Sequence, residues 1–388
     1  MESDLSMSSV ISKAMPKHAL PAHIEFSRQL APYVTDSISD STAQSLTLAQ
    51  LCQLSNTDVT HTQLEYASIQ GSAALRRAIV TFHQGLNSHQ QQLSADDAVT
   101  FSGAQEALSA IYQSVLCPGD EIVVVTPSYP SLVSMAKSLG VKVREIQLRQ
   151  SNGWNITFED FERVVNNKTR LIVLNSPHNP TGNIIDSALA ESILQLAKKY
   201  QCYLLSDDVS QASNYDDVAL AHRYLDYQNS IVIGVMSKSF GLSGIRIGWA
   251  ITPNKAIMDN LRAIKTKNSI CCSATDEALA LIAFENSQQI LATNNKIIVR
   301  NIALFEQFVE QHSDILNWYP PKAGILALVA VKNVQSMRQW STELAKNTGV
   351  LALPSELFGL SGNYFRLGLG QRDFASVLMK FAEFIKPY

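Results

Sequence analysis

The sequence predicts an α/β protein: a three-layer sandwich in which a mainly parallel central sheet lies between helices, together with a smaller α+β part. Two observations support this class. Short apolar runs alternate with amphipathic helical patterns through the middle of the chain, and these runs are apolar at successive positions rather than at every second one. Strands buried on both faces have this pattern, and parallel sheets covered by helices consist of such strands.

Five apolar runs predict strands of the central sheet, at residues 121–125, 141–146, 170–174, 202–206 and 230–235. Amphipathic patterns predict connecting helices over residues 131–139 and 187–199. The pattern changes after residue 286. Apolar residues at helical spacing predict one long helix over 286–312, and strand-like runs follow at 325–331 and 364–369. This last region is the smaller α+β part.

The composition is that of an ordinary globular protein and excludes several functional classes. A net charge of −3 gives no general attraction to nucleic acid or acidic lipid. No apolar run approaches the roughly 20 residues that span a bilayer, and the N-terminus lacks the apolar core of a secretory signal. The five cysteines form no CxxC pair and have no histidine cluster beside them. We therefore expect a cytoplasmic protein without nucleic-acid, membrane or metal partners.

Four motifs lie at the ends of apolar runs. They are SGAQEAL at 102–108, NSPHNPTG at 175–182, LLSDDVS at 204–210 and SKSFGLSGIRIGW at 237–249. Ligands of such sheets bind at the carboxyl ends of the strands, so this placement predicts one shared site. In the last motif Arg246 follows Lys238 by eight residues across a Ser/Gly loop. This arrangement suits a lysine that forms a Schiff base with an aldehyde while a nearby cation holds a phosphate.

Together the four motifs resemble those of the fold-type I enzymes of pyridoxal phosphate, in the class I and II aminotransferase family, and the resemblance covers residues 66–370. It implies pyridoxal 5'-phosphate as the cofactor. It also implies a large cofactor-binding domain over residues 46–285, with residues 1–45 and 286–388 forming a small domain.

The resemblance implies roles for the polar residues of the motifs. Lys238 is expected to carry the cofactor and, once an amino acid displaces it, to move a proton at the substrate Cα. Asp207 is expected to keep the pyridine nitrogen protonated through a charge-assisted hydrogen bond. Asp208 is the competing candidate, and the family pattern selects the first of the pair. Asn179 is expected to donate its amide to the cofactor's ring oxygen and to lie beside the substrate.

The cofactor's phosphate needs backbone amides at a helix N-terminus and a fixed cation. The residues expected to supply this site are Gly103, Ala104, Gln105, Ser237 and Arg246. The resemblance implies a further donor from a second subunit, because Tyr66 and Gly71 match the family's Tyr-x4-Gly pattern. It therefore implies a homodimer with shared active sites.

Three predictions concern the substrate side of the site. Tyr129, in TPSYPSL, occupies the family's position for an aromatic ring stacked on the pyridine. Arg366 lies in a late apolar strand, where a buried guanidinium needs a partner, and its planar fork suits a substrate α-carboxylate. The hydroxyls and carboxylates of residues 36–45 are expected to line the substrate entrance and to suit a polar or cationic side chain.

The chain departs from the family pattern at two positions. Ser210 stands where many relatives have a tyrosine that donates to the ring oxygen, and Tyr215 is the candidate substitute. Val235 stands where many relatives have a phosphate-binding serine. Cofactor binding is still expected with these changes, but they leave the type of reaction undecided.

The sequence supports two enzymatic hypotheses and disfavours a third reading. The first is an aminotransferase that converts an amino acid to its 2-oxo acid and takes a second 2-oxo acid as co-substrate. The alternative is a cyclase or lyase acting on a hydroxylated, arginine-like amino acid, because residues 119–132 and 149–182 are similar to the family branch that contains capreomycidine synthase. A regulatory protein needs a DNA-binding module ahead of Tyr66, and no basic helix-turn-helix pattern occurs there.

Overall fold

The computed structural model describes residues 20–385. The helices, in chain order, are α1 Ala22–Leu30, α2 Leu48–Cys52, α3 Ala73–Leu86, α4 Ala104–Val115, α5 Pro130–Ser138, α6 Phe158–Val164, α7 Ser187–Tyr200, α8 Lys255–Asn268, α9 Ala274–Glu285, α10 Ser287–Gln311, α11 Met337–Thr348 and α12 Phe374–Ile385. The strands, in chain order, are β1 Asp36–Ser37, β2 Ala98–Phe101, β3 Glu121–Thr126, β4 Lys142–Gln147, β5 Thr169–Asn175, β6 Tyr203–Asp207, β7 Ser230–Val235, β8 Gly248–Ile251, β9 Leu316–Trp318, β10 Leu326–Val331, β11 Val350–Leu351, β12 Leu353–Pro354 and β13 Tyr364–Gly368. Among these described residues, no helix combines the length and the apolar composition needed to cross a membrane.

Seven strands form the central sheet in the order β2–β8–β7–β6–β5–β3–β4. Neighbouring strands are parallel from β7 to β4, whereas β8 is antiparallel to β7 and to β2. All five predicted strands belong to this sheet, and their ends differ from the prediction by no more than one residue. The prediction of a mainly parallel α/β sheet is confirmed. The reversed strand β8 was not predicted.

Helices cover both faces of this sheet. Successive side chains of a strand point to opposite faces. Along β3, Ile122 and Val124 pack in a cluster with residues of α4, α5 and α8. Val123 and Val125 instead pack with residues of α6 and α7. Both faces are therefore buried, which explains the continuous apolar runs and confirms the three-layer arrangement.

The region after α9 has a different architecture. It contains the long helix α10, close to its predicted bounds, and a four-stranded antiparallel sheet in the order β12–β13–β10–β9. Ile38, far away in sequence, belongs to the hydrophobic core of this region, and β1 pairs with β11. The N-terminal segment thus packs against the C-terminal region. The domain boundaries after residues 45 and 285 remain a prediction, and residues 1–19 and 386–388 of the predicted small domain lie outside the described residues.

Candidate active site

A cavity of about 280 Å³ lies at the carboxyl ends of β5, β6 and β7. Side chains from all four sequence motifs, or from the segments beside them, line it. The predicted site residues among its lining are Ala104, Gln105, Tyr129, Asn179, Asp207, Ser237, Lys238 and Arg246. The topology therefore brings these residues together, while their individual chemical roles remain predictions.

Asp207 is the last residue of β6 and is buried in the cavity wall. Burial raises the pKa of its carboxyl to about 7, although a hydrogen bond from the backbone N–H of Val209, at 3.3 Å, opposes the shift. The neighbouring Asp208 does not line the cavity. Its carboxylate lies 2.7 Å from Nε2 of His222 and accepts a second bond from Oγ of Ser206. The aspartate available to a ligand is thus Asp207.

Lys238 lies in the loop after β7, and its amine reaches into the cavity. Its Nζ donates a hydrogen bond of 2.8 Å to Oγ of Ser41. Burial and, next, the nearby guanidinium of Arg366 lower the pKa of this amine to about 8. A lysine with this pKa is partly neutral near pH 7, which a nucleophilic amine requires.

The N-terminus of α4 and two side chains form an anion-binding cup. Gly103 is the N-cap of α4, with φ at 92°, and no side chain caps the helix. This φ lies in the region that favours glycine, and a Cβ here would also push the guanidinium of Arg246 out of its position. Arg246 is held by the carbonyl of Ser243, at 3.0 Å from Nη1, and by Oγ of Ser237, at 3.4 Å. Free helix amides beside a fixed cation suit a phosphate.

Tyr129 and Asn179 complete this side of the cavity. The hydroxyl of Tyr129 donates to Oε1 of Gln105 at 3.3 Å. The backbone N–H of Asn179 donates to Oδ1 of Asn175 at 2.8 Å, which fixes the loop after β5. The side-chain Oδ1 of Asn179 is buried and has no partner among the described residues. A buried polar atom without a partner costs free energy, so a ligand that bonds to it gains affinity.

Arg366 is buried in the middle of β13. One nitrogen, Nη2, donates to the carbonyl of Ser39 at 2.8 Å, while Nε is buried without a partner in the described part of the chain. Burial lowers the pKa of this guanidinium to about 10. Arg366 does not line the cavity itself, but it is close enough to lower the pKa of Lys238. Because this Nε–H has no partner, Arg366 can donate a hydrogen bond to a carboxylate.

Tyr66 is the predicted site residue that lies away from the cavity. Its side chain is 83% exposed and lines a separate surface depression with Ser72 and Glu277. Within one subunit it therefore contacts none of the other predicted cofactor residues that line the cavity. This position agrees with the expectation that Tyr66 serves the site of a second subunit, which stays a prediction.

The N-terminal segment divides into two parts. Ser41 and Thr42 line the cavity, while the role of this segment as a substrate entrance stays a prediction. Asp36, by contrast, belongs to β1, and its carboxylate binds Nζ of Lys380 at 2.6 Å, away from the cavity lining. We call residues 38–43 the strap, because they run from β13 to the loop that carries Lys238.

The two departures from the family pattern both lie at the cavity. Ser210 and Val235 are among its lining residues. Tyr215 does not replace the missing tyrosine, because its hydroxyl donates to the carbonyl of Pro321 at 3.1 Å and its ring lies outside the cavity lining.

Two further residues at the site were not predicted from the sequence. Asn175 lines the cavity and is the first residue of the NSPHNPTG motif, so the motif carried a signal for it. His23, on α1, lies with its ring 5.7 Å from that of Tyr129 and 6.2 Å from that of Phe358. Burial and the cations of Arg366 and Lys238 lower the pKa of His23 to about 4. No sequence pattern marks His23, because its position depends on how α1 packs.

These residues fit pyridoxal phosphate. The cavity offers a partly neutral amine at Lys238 and an anion-binding cup beside Arg246. It also offers the buried carboxyl of Asp207, whose pKa is raised by burial and which forms no salt bridge with a cationic side chain in the described part of the chain. A protonated pyridine nitrogen is a cationic partner for such a carboxylate.

Comparison with known proteins agrees with this donor set. The family described as aminotransferase class I and II matches residues 26–374. The chain is 28% identical to capreomycidine synthase of Streptomyces vinaceus over 67% of each protein. It is 27% identical to an arginine–pyruvate transaminase of Pseudomonas aeruginosa, over 78% of this chain and 77% of that protein. The crystal structure of a PLP-dependent aminotransferase from Streptococcus suis is 26% identical, superposes with a TM-score of 0.88, and matches 96% of this chain and 99% of its own. This chain belongs to the aminotransferase class I and II family of pyridoxal-phosphate-dependent enzymes.

Proposed function

We propose that this enzyme is an aminotransferase that converts an amino acid to its 2-oxo acid and regenerates its cofactor with a second 2-oxo acid. The observation that carries the proposal is the buried Lys238 amine, with its lowered pKa, in the same cavity as Asp207 and Arg246. The family supports this reading, because it is one of aminotransferases.

Each of the site residues has a separate role in the proposed reaction. Bound pyridoxal phosphate supplies an electron sink for the electrons left when a bond at the substrate Cα breaks. The carboxylate of Asp207 holds a proton at the pyridine nitrogen, and the cup at Gly103 and Arg246 holds the phosphate. Arg366 binds the α-carboxylate through its free Nε, which places Cα near Lys238. The neutral Lys238 amine then takes a proton from Cα and returns it one step later.

A cyclase or lyase that acts on a hydroxylated, arginine-like amino acid is the second candidate. The similarity of residues 119–132 and 149–182 to the branch of capreomycidine synthase favours it, and so does Ser210, which shortens the side chain at a position where many relatives carry a tyrosine. The same Lys238 and Asp207 serve this reaction, because it also begins with loss of the Cα proton.

Product analysis distinguishes the two reactions. The holoenzyme is incubated with single amino acids, arginine among them, with and without 2-oxoglutarate or pyruvate. An aminotransferase forms glutamate or alanine only when the oxo acid is present. Turnover of one amino acid without any oxo acid would reject the aminotransferase in favour of the cyclase or lyase. The Lys238→Ala variant is the control for background reaction.

We also propose that two subunits share each active site through Tyr66. Beside this exposed tyrosine, Leu64 is 91% exposed and Ile69 is 42% exposed, which suits a subunit interface. Mixing Lys238→Ala with Tyr66→Ala subunits tests this. In a shared site, the mixed dimer has one intact site, so its activity exceeds the sum of the two parents. Activity no higher than that sum would rule out sharing through Tyr66.

A further inference from the structure

The amine of Lys238 has a partner that no motif of the sequence supplies. Its Nζ donates to Oγ of Ser41 at 2.8 Å, across 197 positions of the chain. Both side chains line the same cavity. The Ser41 hydroxyl therefore touches the atom that carries out the proton transfer at Cα.

The strap holds Ser41 at this place through contacts on both sides. Toward β13, the N–H of Gly368 donates to the carbonyl of Ile38 at 2.8 Å, and Nη2 of Arg366 donates to the carbonyl of Ser39. Toward the lysine loop, the N–H of Ala43 donates to the carbonyl of Lys238 itself at 3.0 Å. Ser41 thus lies between two anchored points and cannot drift far from the amine.

Close backbone packing restricts the strap further. A Cβ at Gly368 would overlap the backbone of Asp40, and a Cβ at Gly241 would overlap the carbonyl of Gln44. Both positions allow this approach because they lack a side chain. Asp40 also accepts hydrogen bonds from the backbone N–H and the hydroxyl of Thr42, at 3.0 and 2.9 Å, so the turn that contains Ser41 is bonded on both flanks.

We propose that Ser41 is a positioning residue for Lys238: its hydroxyl oxygen accepts a hydrogen bond from the lysine amine and aims that amine at the substrate Cα. The inference rests on the proposed function, in which Lys238 moves the Cα proton. In that step the Cα–H bond breaks and a third N–H bond forms on Nζ. The new ammonium donates to Ser41, and the proton leaves Nζ again when it is returned to the substrate.

The surroundings of the amine explain why this acceptor matters. The charged groups that act on Lys238 are Arg366 and Arg246, which disfavour the ammonium, and Asp207 and Asp40, which favour it. The carboxylate of Asp207 is expected to bond to the pyridine nitrogen, and the carboxylate of Asp40 already accepts two hydrogen bonds from Thr42. Within residues 20–385, the Ser41 hydroxyl is the side-chain group that accepts a hydrogen bond from this amine. Its removal leaves the ammonium less stabilised and less restricted in direction.

The first test uses the cofactor-free protein, so it does not depend on activity. The pH dependence of Lys238 acylation by acetic anhydride, read by peptide mass spectrometry, gives the pKa of the amine. We expect a lower pKa in Ser41→Ala than in the wild type, because the charged form loses an acceptor. Ser45→Ala, an exposed serine in the same segment, is the matched control and should leave the profile unchanged. If Ser41→Ala has the same acylation profile as the wild type, the proposed hydrogen bond between Ser41 and Lys238 is wrong.

The second test measures exchange of the substrate α-proton with D₂O by NMR in the holoenzyme, a step common to an aminotransferase and a cyclase. At saturating amino acid, Ser41→Ala should exchange about 10- to 100-fold more slowly, which is less than the roughly 100- to 10,000-fold that a positioned acid or base contributes, because Lys238 itself remains. Ser41→Thr keeps the hydroxyl and should recover most of the rate.

Unchanged exchange in Ser41→Ala, or a change in KM alone, would overturn the proposal, and so would a threonine variant as slow as the alanine one. If Ser41→Ala does not fold, Ser41→Gly replaces it in both measurements. If the wild type exchanges no α-proton of any amino acid, the proposed function fails instead, and the acylation profile still decides whether Ser41 controls Lys238.

Discussion

The two walls of the cavity are built in different ways. The sheet wall consists of residues at the end of β6, in the loop between β7 and β8 and at the start of α4, including Asp207, Lys238 and Arg246. The strap wall consists of Ser41 and Thr42, which belong to the strap at residues 38–43. Arg366 lies outside the cavity lining and holds the strap through a hydrogen bond to the carbonyl of Ser39, so the two parts come from opposite ends of the chain. Each residue of the sheet wall lies in a local motif, whereas the strap wall exists only after folding. The residues predicted to serve the cofactor therefore lie in local motifs, whereas the groups that contact Lys238 and Arg366 from the other side depend on long-range packing.

The largest expected effect is that of Lys238→Ala, which removes the reacting amine from the sheet wall. We expect turnover to fall by at least about 100-fold, because both covalent attachment and proton transfer are lost. The yellow absorbance of the bound cofactor and its bleaching by borohydride should disappear with it. Lys255→Ala, an exposed lysine on α8 that pairs with Asp259, is the control. Turnover retained in Lys238→Ala would contradict the assignment of the whole sheet wall.

A second effect concerns the stability of the cofactor-free protein and the buried Asp207. Its folded-state pKa of about 7 lies above the ordinary value of 3.8, so the folded protein binds this proton more tightly than the unfolded chain. This contribution to stability is present below pH 4 and is lost as pH rises toward 7. We expect Asp207→Asn to be more stable than the wild type at pH 8, by on the order of a few kcal/mol, and equally stable near pH 4. Denaturant unfolding at both pH values measures the difference, and a difference that does not vary with pH would refute this origin.

A third, smaller effect concerns Arg366, which holds the strap. Arg366→Lys keeps the charge but loses the planar fork, so at least one charge-assisted bond to the substrate carboxylate is lost. Such a bond contributes about 1.5–3 kcal/mol, which corresponds to a decrease in kcat/KM of about 10- to 100-fold. Cofactor absorbance should stay at the wild-type level. A loss of bound cofactor in this variant would show that the two walls are not functionally separate.

The smallest expected effect separates the two acidic residues of the N-terminal segment. Asp36 pairs with Lys380, at 2.6 Å, on a partly exposed surface. Asp36→Ala should therefore lower the free energy of unfolding by no more than about 1 kcal/mol and leave substrate preference unchanged. Asp40→Ala should alter preference among arginine-like, acidic and aromatic substrates, because Asp40 acts on both Lys238 and Arg366. Equal kinetic behaviour of the two variants would show that the strap takes no part in substrate recognition.

The parallel sheet and most residues of the sheet wall can be predicted from the amino-acid sequence alone. Apolar runs such as residues 230–235 predict strands because a strand buried on both faces must be apolar at every position. The polar motifs at the strand ends meet in one cavity because parallel strands place their carboxyl ends on the same edge. Lys238, Asp207 and Arg246 were predicted to share this site from that rule and from the family resemblance, and the cavity brings them together.

The residues that face these groups from the other side of the cavity are known only from the folded structure. No local pattern distinguishes Ser41 from Ser45, or Asp40 from Asp36, because each short polar stretch satisfies the same local preferences. The choice follows from hydrogen bonds between Ser39 and Arg366 and between Ala43 and Lys238, which join positions far apart in the chain. Likewise, the packing of α1 brings His23 to Tyr129. Local motifs mark the residues that are predicted to react, and long-range packing determines which residues hold and surround them.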